Sequence, residues 1–187
     1  MDRQELVGRA ARGDHDAFAV LATASAPRLD AAARLILRDP ELARDAVQNA
    51  LVRAWRDLPG LRDPERFDAW LHRLLVNSCL DEARRRRRRP IEVEIDPIHE
   101  PAAGVDDART LADRDQVERA LSRLEPEHRA LVVLHYYLGY PLPEAAASLG
   151  ISLPAAKSRL HRAMDGLRRT LAADSATWAE LEGGRPA

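Results

Sequence analysis

Six consecutive arginines, Arg84–Arg89, end a helix-like segment that stops at Pro90. The planar guanidinium of arginine presents a fork of N–H donors that matches phosphate oxygens, and each phosphate it neutralises releases counterions. Complementing the C-terminal dipole of a helix needs only about one or two cations. The run therefore indicates contact with nucleic acid, although a solvated helix end or a basic localisation tract would have the same composition.

A second basic segment, residues 152–170, carries five cations against one acid and follows a short helical pattern that ends in glycine. This order is the helix-turn-helix pattern, in which the second helix enters the major groove of duplex DNA. Four side chains that can donate to base edges or phosphates share its outer face: Lys157, Ser158, His161 and Arg162. An ordinary amphipathic helix with a basic outer face is the alternative interpretation.

The sequence does not indicate an active site. His15 lies between Asp14 and Asp16, but adjacent side chains on a helix diverge and make a poor metal cage. A glycine-rich phosphate loop, a cysteine pair and a nucleophile motif are all missing from the sequence. We therefore predict that the chain is not an enzyme and needs no metal and no cofactor.

Helix is favoured over sheet because Ala, Leu and Arg are abundant while aromatic residues make up only 4% of the chain. Asp39, which precedes Pro40, and Ser152, which begins the second basic segment, are predicted to be helix N-caps. Pro27 is predicted to interrupt its helical pattern or to begin a turn. Gly139 is predicted to end a helix, and residues 58–67 are predicted to form a loop.

The formal net charge of −1 hides a strong segregation of charge along the chain. Residues 67–89 carry seven arginines against three acids, whereas residues 90–118 carry nine acids against two arginines. Prolines and a glycine interrupt the start of the acidic stretch, and its apolar residues do not recur at helical or strand spacing. We predict an all-α protein of two small helical domains, residues 1–89 and 113–173, joined by a flexible acidic linker, 90–112, and followed by a tail, 174–187.

The sequence also predicts a cytoplasmic location. No window approaches the ~18 uncharged apolar residues that indicate a membrane-spanning helix, so no membrane insertion is expected. The first residues lack the apolar core and the small-residue cleavage site of a signal peptide. The single cysteine, Cys79, fits a reducing compartment and is predicted to be a small buried hydrophobe.

These motifs, in this order, resemble the extracytoplasmic-function (group 4) bacterial sigma factors of the sigma-70 family. The segment "ARDAVQNALVRAWRDL" resembles the polymerase-binding helix of that family, and "RFDAWLHRLLVNSCLDEARRRRRR" resembles its promoter-melting helix. The segment "LSRLEPEHRALVVLHYYLGYPLPEAAASLGISLPAAKSRLHRAMDGLRR" is similar to its C-terminal domain. The resemblance implies a sigma2-like domain that binds core RNA polymerase and the −10 element, and a sigma4-like helix-turn-helix domain that binds the −35 element.

The resemblance also implies roles for individual residues. Polymerase contacts would come from Asp45, Gln48 and Arg53. Capture of the unpaired −10 strand would involve Arg62, Asp63, Phe67, Trp70 and Asn77, with Arg84, Arg85, Arg86, Arg87, Arg88 and Arg89 on backbone phosphates. The reading of the −35 element would fall to Lys157, Ser158, His161 and Arg162. Many members of the family are held inactive by an anti-sigma factor, so such a partner is expected.

Two other classes of function remain open from the residues alone. An autonomous helix-turn-helix regulator would bind its duplex site without polymerase, often as a dimer on a palindrome, whereas a sigma factor would bind duplex DNA poorly by itself. A pure interaction protein would bind neither DNA nor polymerase. The N-terminal half favours the sigma factor, because a simple regulator has no need of a tryptophan-bearing helix that ends in six arginines.

Overall fold

The structure is a computed structural model that describes residues 2–88 and 116–183, with side chains as far as residue 172. The N-terminal group of helices consists of α1 (Arg3–Ala11), α2 (His15–Leu37), α3 (Pro40–Asp57) and α4 (Phe67–Arg88). The C-terminal group consists of α5 (116–122), α6 (Pro126–Val132), α7 (Leu142–Ser148) and α8 (Leu153–Gly183). The all-α prediction is confirmed, while Arg89 and the acidic linker 90–112 lie outside the described residues.

Helices α3 and α4 form the most extensive contact in the N-terminal group. The side of α3 that faces α4 and α2 is lined by alanines at helical spacing, all with 0% of their surface exposed: Ala43, Ala46, Ala50 and Ala54. Because these side chains are small, the larger buried side chains of the neighbouring helices, such as Leu71 and Leu75 of α4, fill the space against them. This packing fixes the outer face of α3 relative to the arginine end of α4.

The helix starts follow the capping chemistry of the sequence. The Asp39 carboxylate accepts hydrogen bonds from the backbone N–H groups of Glu41 and Leu42 at 3.0 and 3.1 Å, and a proline occupies the first position of α3. The Ser152 hydroxyl accepts from the N–H of Ala155 at 3.4 Å at the start of α8. Both predicted N-caps are confirmed, and each satisfies donors that a helix start otherwise leaves without partners.

The prediction for Pro27 was wrong, because α2 runs through it without a break. Proline removes one backbone hydrogen bond and strains the preceding turn. The buried stripe of α2 nevertheless continues on both sides of it, with Leu21 and Leu29 among its largest buried side chains. Tertiary packing of that stripe outweighs the local cost, as it does for most helices in globular proteins.

Helix α6 continues into one π-helical turn, Val133–Tyr137, which the sequence did not indicate. The N–H of Leu138 donates to the carbonyl of Val133 at 2.9 Å, and Gly139 then adopts a φ of 81° that favours glycine and ends the helix as predicted. The loop predicted between α3 and α4 contains two short 3₁₀ turns, Leu58–Gly60 and Pro64–Arg66. No helix within the described ranges is long and apolar enough to cross a bilayer.

Cys79 is fully buried on α4, and burial raises the pKa of its thiol to about 12. We predict that the native protein resists iodoacetamide at neutral pH and is alkylated only on unfolding in guanidinium, because the thiolate is the reactive species. Mass spectrometry of protein quenched at successive times measures the rate. A Ser158→Cys variant provides the control, since that position is exposed. Native alkylation of Cys79 as fast as that of the introduced cysteine would contradict the buried position.

Candidate nucleic-acid interface

Five arginines, Arg84–Arg88, form an exposed surface at the C-terminal end of α4, called here the arginine surface. Four of them pair with carboxylates of the same chain: Arg84 with Asp81 at 3.0 Å, Arg85 with Glu82 at 3.0 Å, Arg86 with Asp39 at 3.3 Å, and Arg87 with Glu125. Ion pairs at exposed positions contribute little to stability and are screened by salt. The arginines can therefore exchange these carboxylates for phosphate groups.

A groove of about 810 Å³ joins the arginine surface to the outer face of α3. Asp45 and Gln48, two of the predicted polymerase contacts, line one side, and both are exposed. Arg85, Arg86 and Arg88 line the other side. The structure thus brings the predicted polymerase contacts and most of the predicted phosphate contacts to the two sides of one groove.

Arg53, the third predicted polymerase contact, lies between α3 and α4. Its Nη2 donates to Asp81 at 3.3 Å, and the other carboxylate oxygen of Asp81 accepts from Arg84 at 3.0 Å. One carboxylate therefore links this residue to the arginine surface. Sequence reasoning missed Val52, whose surface is 61% exposed one turn after Gln48. The sequence could have indicated this exposed apolar residue, because Val52 lies outside the buried stripe of its own helix.

The first turns of α4 hold the aromatic residues predicted to support base capture. Phe67 is buried, Trp70 is half-buried, and their ring centroids lie 6.0 Å apart. The guanidinium of Arg3 lies 5.7 Å from the centroid of the Phe67 ring, so that ring is enclosed by the protein. Phe67 therefore supports the neighbouring Trp70 ring and is not itself exposed for a base to stack on. Two other predicted contacts, Arg62 and Asp63, are exposed in the loop before α4.

Asn77 lies two turns after Trp70 on α4, about 10 Å further along the axis at ~1.5 Å per residue. Its side chain is half-buried. The spacing of seven residues places the two side chains on nearly the same face of the helix, and the arginine surface begins a further two turns along. Helix α4 thus presents, in order, an aromatic ring, an amide and a row of guanidinium groups.

The N-terminal half of α8 presents the four residues predicted to read duplex DNA. Lys157, Ser158, His161 and Arg162 are all exposed and lie on one side of the helix, called here the reading face. His161 Nε2 lies 3.1 Å from the Asp165 carboxylate, and Arg162 Nε donates to the carbonyl of Ser158 at 3.3 Å. The opposite side is buried through Ala156 and Ala163, so the helix projects its polar side chains outward.

His128 of α6 lies beside this face and was not singled out from the sequence. Burial lowers its pKa, with smaller contributions in the same direction from Arg162 and Arg159 and opposing ones from Glu125 and Glu127. A neutral imidazole next to two guanidinium groups adds hydrogen-bonding capacity without adding charge. Only the packing of α6 against α8 shows this proximity, because the residues are separated by about thirty positions in the chain.

Three further histidines of the described residues take part in packing. The His15 ring lies 4.4 Å from the Trp55 ring, centroid to centroid, and His135 Nδ1 lies 2.7 Å from the carbonyl of Tyr140. His72 is buried and lies 2.6 Å from the Tyr140 hydroxyl. In the part of the chain that the structure describes, no group of three His, Cys, Asp or Glu side chains is placed to hold a metal ion.

Two family models match the chain. One, described as Sigma-70 region 2, matches residues 21–89, and the other, described as Sigma-70, region 4, matches residues 114–165. The first match includes the arginine surface, and the second includes the reading face. The two surfaces built above therefore fall in two separate matched regions.

Curated relatives agree with these matches. The chain is 36% identical to the ECF RNA polymerase sigma factor SigM of Mycobacterium tuberculosis over 169 residues, which cover 89% of this chain and 83% of SigM. It is 36% identical to the RNA polymerase sigma-E factor of Streptomyces avermitilis over 140 residues, which cover 74% of this chain and 76% of that relative. Most of each relative is therefore represented in the chain.

Solved structures agree as well. CnrH, solved in complex with the cytosolic domain of CnrY, is 30% identical with a TM-score of 0.65, and the match covers 92% of this chain and 98% of CnrH. The sigma factor RpoE from Bartonella quintana, solved with the anti-sigma factor NepR, is 27% identical with a TM-score of 0.63. That match covers 79% of this chain and 92% of RpoE.

The arginine surface predicts a measurable dependence of DNA binding on salt. Replacing Arg84 and Arg85 together with glutamine should make the negative slope of log K against log salt shallower by about 0.7 for each phosphate of a single strand that the protein no longer neutralises. Fluorescence anisotropy with a short labelled single-stranded oligonucleotide measures the slope. Arg73→Gln, an exposed position on α4 outside the run, is the matched control. An unchanged slope in the double variant, or an equal change in the control, would refute phosphate binding here.

Proposed function

The chain belongs to the extracytoplasmic-function group of the sigma-70 family of RNA polymerase sigma factors, and from this membership we propose a division of labour between its two groups of helices. The N-terminal domain, residues 1–89, binds core polymerase and the −10 element. The C-terminal domain, residues 113–173, binds the −35 element. The observation that best supports this division is the groove that places Asp45 and Gln48 opposite the arginine surface.

Polymerase binding is assigned to the outer face of α3. Asp45 and Gln48 supply polar groups, and the exposed Val52 supplies apolar surface of the kind that anchors protein interfaces when it is buried by a partner. Arg53 is placed to donate to a carboxylate of the polymerase. Because Arg53 pairs with Asp81 in this structure, such a contact would weaken that pair. A polymerase bound on this side would lie next to the arginine surface.

Capture of the −10 strand is assigned to α4 and the loop before it. An extruded base needs a flat apolar side chain beside it and a group that can form hydrogen bonds with it. Trp70, supported by Phe67, supplies the flat side chain, and Asn77 supplies the hydrogen-bonding group. The arginine surface holds the backbone phosphates on either side of the extruded base. Stabilising the unpaired strand in this way favours the melted promoter, since it lowers the free energy of the separated strands relative to the duplex.

Recognition of the −35 element is assigned to the reading face. Lys157 and Arg162 can donate to guanine O6 and N7 in the major groove, while Ser158 and His161 can contact bases or phosphates. These contacts carry sequence information, whereas contacts from the arginine surface mainly position the backbone. The chain performs no covalent chemistry in this scheme, because RNA synthesis takes place in the polymerase.

The expected regulation is by an anti-sigma factor in the cytoplasm. RpoE was solved with the anti-sigma factor NepR, and this supports the same class of partner for this chain. Such a partner would have to cover the outer face of α3 or the reading face in order to prevent initiation. The autonomous regulator considered from the residues is not favoured, because the relatives of this chain are sigma factors.

Run-off transcription tests the proposed function. Purified core RNA polymerase should produce a discrete transcript from the DNA upstream of the chain's own gene only when the protein is added. Replacing Arg84–Arg88 with glutamine should reduce that transcript by more than about tenfold, because several phosphates of the strand would then have no cation beside them. Arg73→Gln should leave the transcript unchanged.

Comigration with the polymerase on size-exclusion chromatography separates the two steps. The arginine variant should still comigrate with core polymerase, because its exposed face on α3 is intact. A protein that neither comigrates with core polymerase nor supports any transcript would contradict the proposed function. A duplex-binding activity that needs no polymerase would favour the autonomous regulator instead.

A further inference from the structure

Helix α1 packs against both 3₁₀ turns of the loop between α3 and α4. This loop, residues 58–66, is called here the capture loop, since it carries two of the predicted base contacts, Arg62 and Asp63. Apart from Leu58, none of its side chains is buried, so its own packing holds it in place only weakly. Contacts made from α1 are therefore well placed to fix its conformation.

Gln4 of α1 contacts the second turn of the capture loop directly. Its Nε2 donates to Glu65 Oε1 at 3.0 Å. The backbone N–H of Glu65 in turn donates to the Asp63 carboxylate at 3.0 Å, and the N–H of Arg66 donates to the Asp63 carbonyl at 3.1 Å. A displacement of Glu65 is thus transmitted to Asp63 through one side-chain cap and one turn hydrogen bond.

Arg3 contacts the first turn of α4 beside the same loop. Its guanidinium pairs with Asp68, donates to the Ser25 hydroxyl at 3.2 Å, and lies 5.7 Å from the centroid of the Phe67 ring. One side chain thus joins α1 to α2 and to α4. A cavity of about 270 Å³ between α1 and the capture loop is lined by both members of the ion pair. The loop therefore has room to shift when these polar contacts are lost.

The contacts of Arg3 and Gln4 are too exposed to stabilise the fold much. The side chains of Arg3 and Asp68 are 43% and 54% exposed, and exposed pairs contribute little to the free energy of unfolding. A small energy is nevertheless enough to change which conformations of an exposed loop are populated. The match to Sigma-70 region 2 begins at residue 21, after α1, so it assigns no role to either residue.

We propose that Arg3 and Gln4 are positioning residues for base capture, because they hold the capture loop in the conformation in which Arg62 and Asp63 contact the extruded base. The role in base capture rests on the proposed function, whereas the ordering of the loop by α1 does not. Loss of either contact increases the population of loop conformations that do not meet the base. The protein then discriminates less between bases at the captured position, while the phosphate contacts of the arginine surface stay intact.

Exchanging the two partners Gln4 and Glu65 gives a test that includes its own rescue. Gln4→Glu removes the donor and brings two carboxylates together. Adding Glu65→Gln restores one donor and one acceptor with their positions reversed. Arg12→Met is the matched control, because it changes the net charge of α1 by the same amount at an exposed position at the other end of the helix. Arg3→Met is an independent second variant.

Hydrogen exchange of the free protein, followed by NMR, measures the order of the capture loop. Gln4→Glu should raise the exchange rates of the Glu65 and Arg66 amides roughly threefold, because contacts at exposed positions are weak. The double variant should return both rates to those of the unchanged protein. The amides of Leu71 and Leu75, buried in the middle of α4, should exchange at the same rate in every variant. That comparison separates opening of the loop from a general loss of stability.

Base discrimination is measured with each protein bound to core RNA polymerase. The probes are labelled single strands that cover the −10 element of the run-off promoter, with each position replaced in turn by the other three bases. At the position where the unchanged protein discriminates most, Gln4→Glu and Arg3→Met should reduce the ratio of the highest to the lowest affinity roughly threefold. The double variant should restore the ratio. The slope of log K against log salt should stay the same in all of them.

The outcomes distinguish the role of α1 from the proposed function. Equal loop exchange in Gln4→Glu and the unchanged protein would overturn the proposal, as would faster exchange without any loss of base discrimination. A double variant that restores neither measurement, or an equal effect of Arg12→Met, would also overturn it. If the unchanged protein formed no complex with core polymerase and any strand, the proposed function and the role in base capture would both be contradicted. Hydrogen exchange would still decide whether α1 orders the loop.

Discussion

The packing of α3 through its row of alanines is the constraint on which the candidate surfaces depend. Ala43, Ala46, Ala50 and Ala54 are completely buried, so the outer face of α3 keeps a fixed position relative to α4. The groove between Gln48 and the arginine surface exists only in that geometry. A larger side chain in the row would move α4 outward, because close-packed interiors accommodate added volume poorly. The proposed polymerase contacts and the arginine surface thus both depend on a row of side chains that belongs to neither surface.

The adjacent arginines of α4 are tolerated in the free chain because carboxylates lie beside them, in a protein whose formal net charge is −1. The carboxylates that pair with the arginine surface come from α4 itself, from the N-cap of α3 and from the residue before α6. These exposed pairs reduce mutual repulsion in the free chain, and they are weak enough to yield to phosphate. The pair of Glu125 with Arg87 also links the N-terminal group of helices to the C-terminal group.

Local features of the fold were predictable because they depend on neighbouring residues. Asp39 and Ser152 cap the helices that follow them, and the reading face follows from helical spacing alone. The helix through Pro27 was not predictable, because the burial that outweighs the proline comes from distant helices. The same holds for the contact between the N-terminal and C-terminal groups of helices, where His72 and Tyr140 are 68 residues apart in the chain. No periodicity relates such residues, and only tertiary packing brings them together.

The proposed function requires that one chain uses two separated surfaces on a single promoter. Hydroxyl-radical cleavage from a tethered iron chelate tests it most directly, with the chelate on Ser158→Cys in one protein and on Arg88→Cys in another. The buried Cys79 leaves the introduced thiol as the reactive one. With core polymerase, the first protein should cut near the −35 element and the second near the −10 element, about 25 base pairs apart or roughly 85 Å. Cuts at a single position from both proteins, or the same pattern without polymerase, would contradict the account.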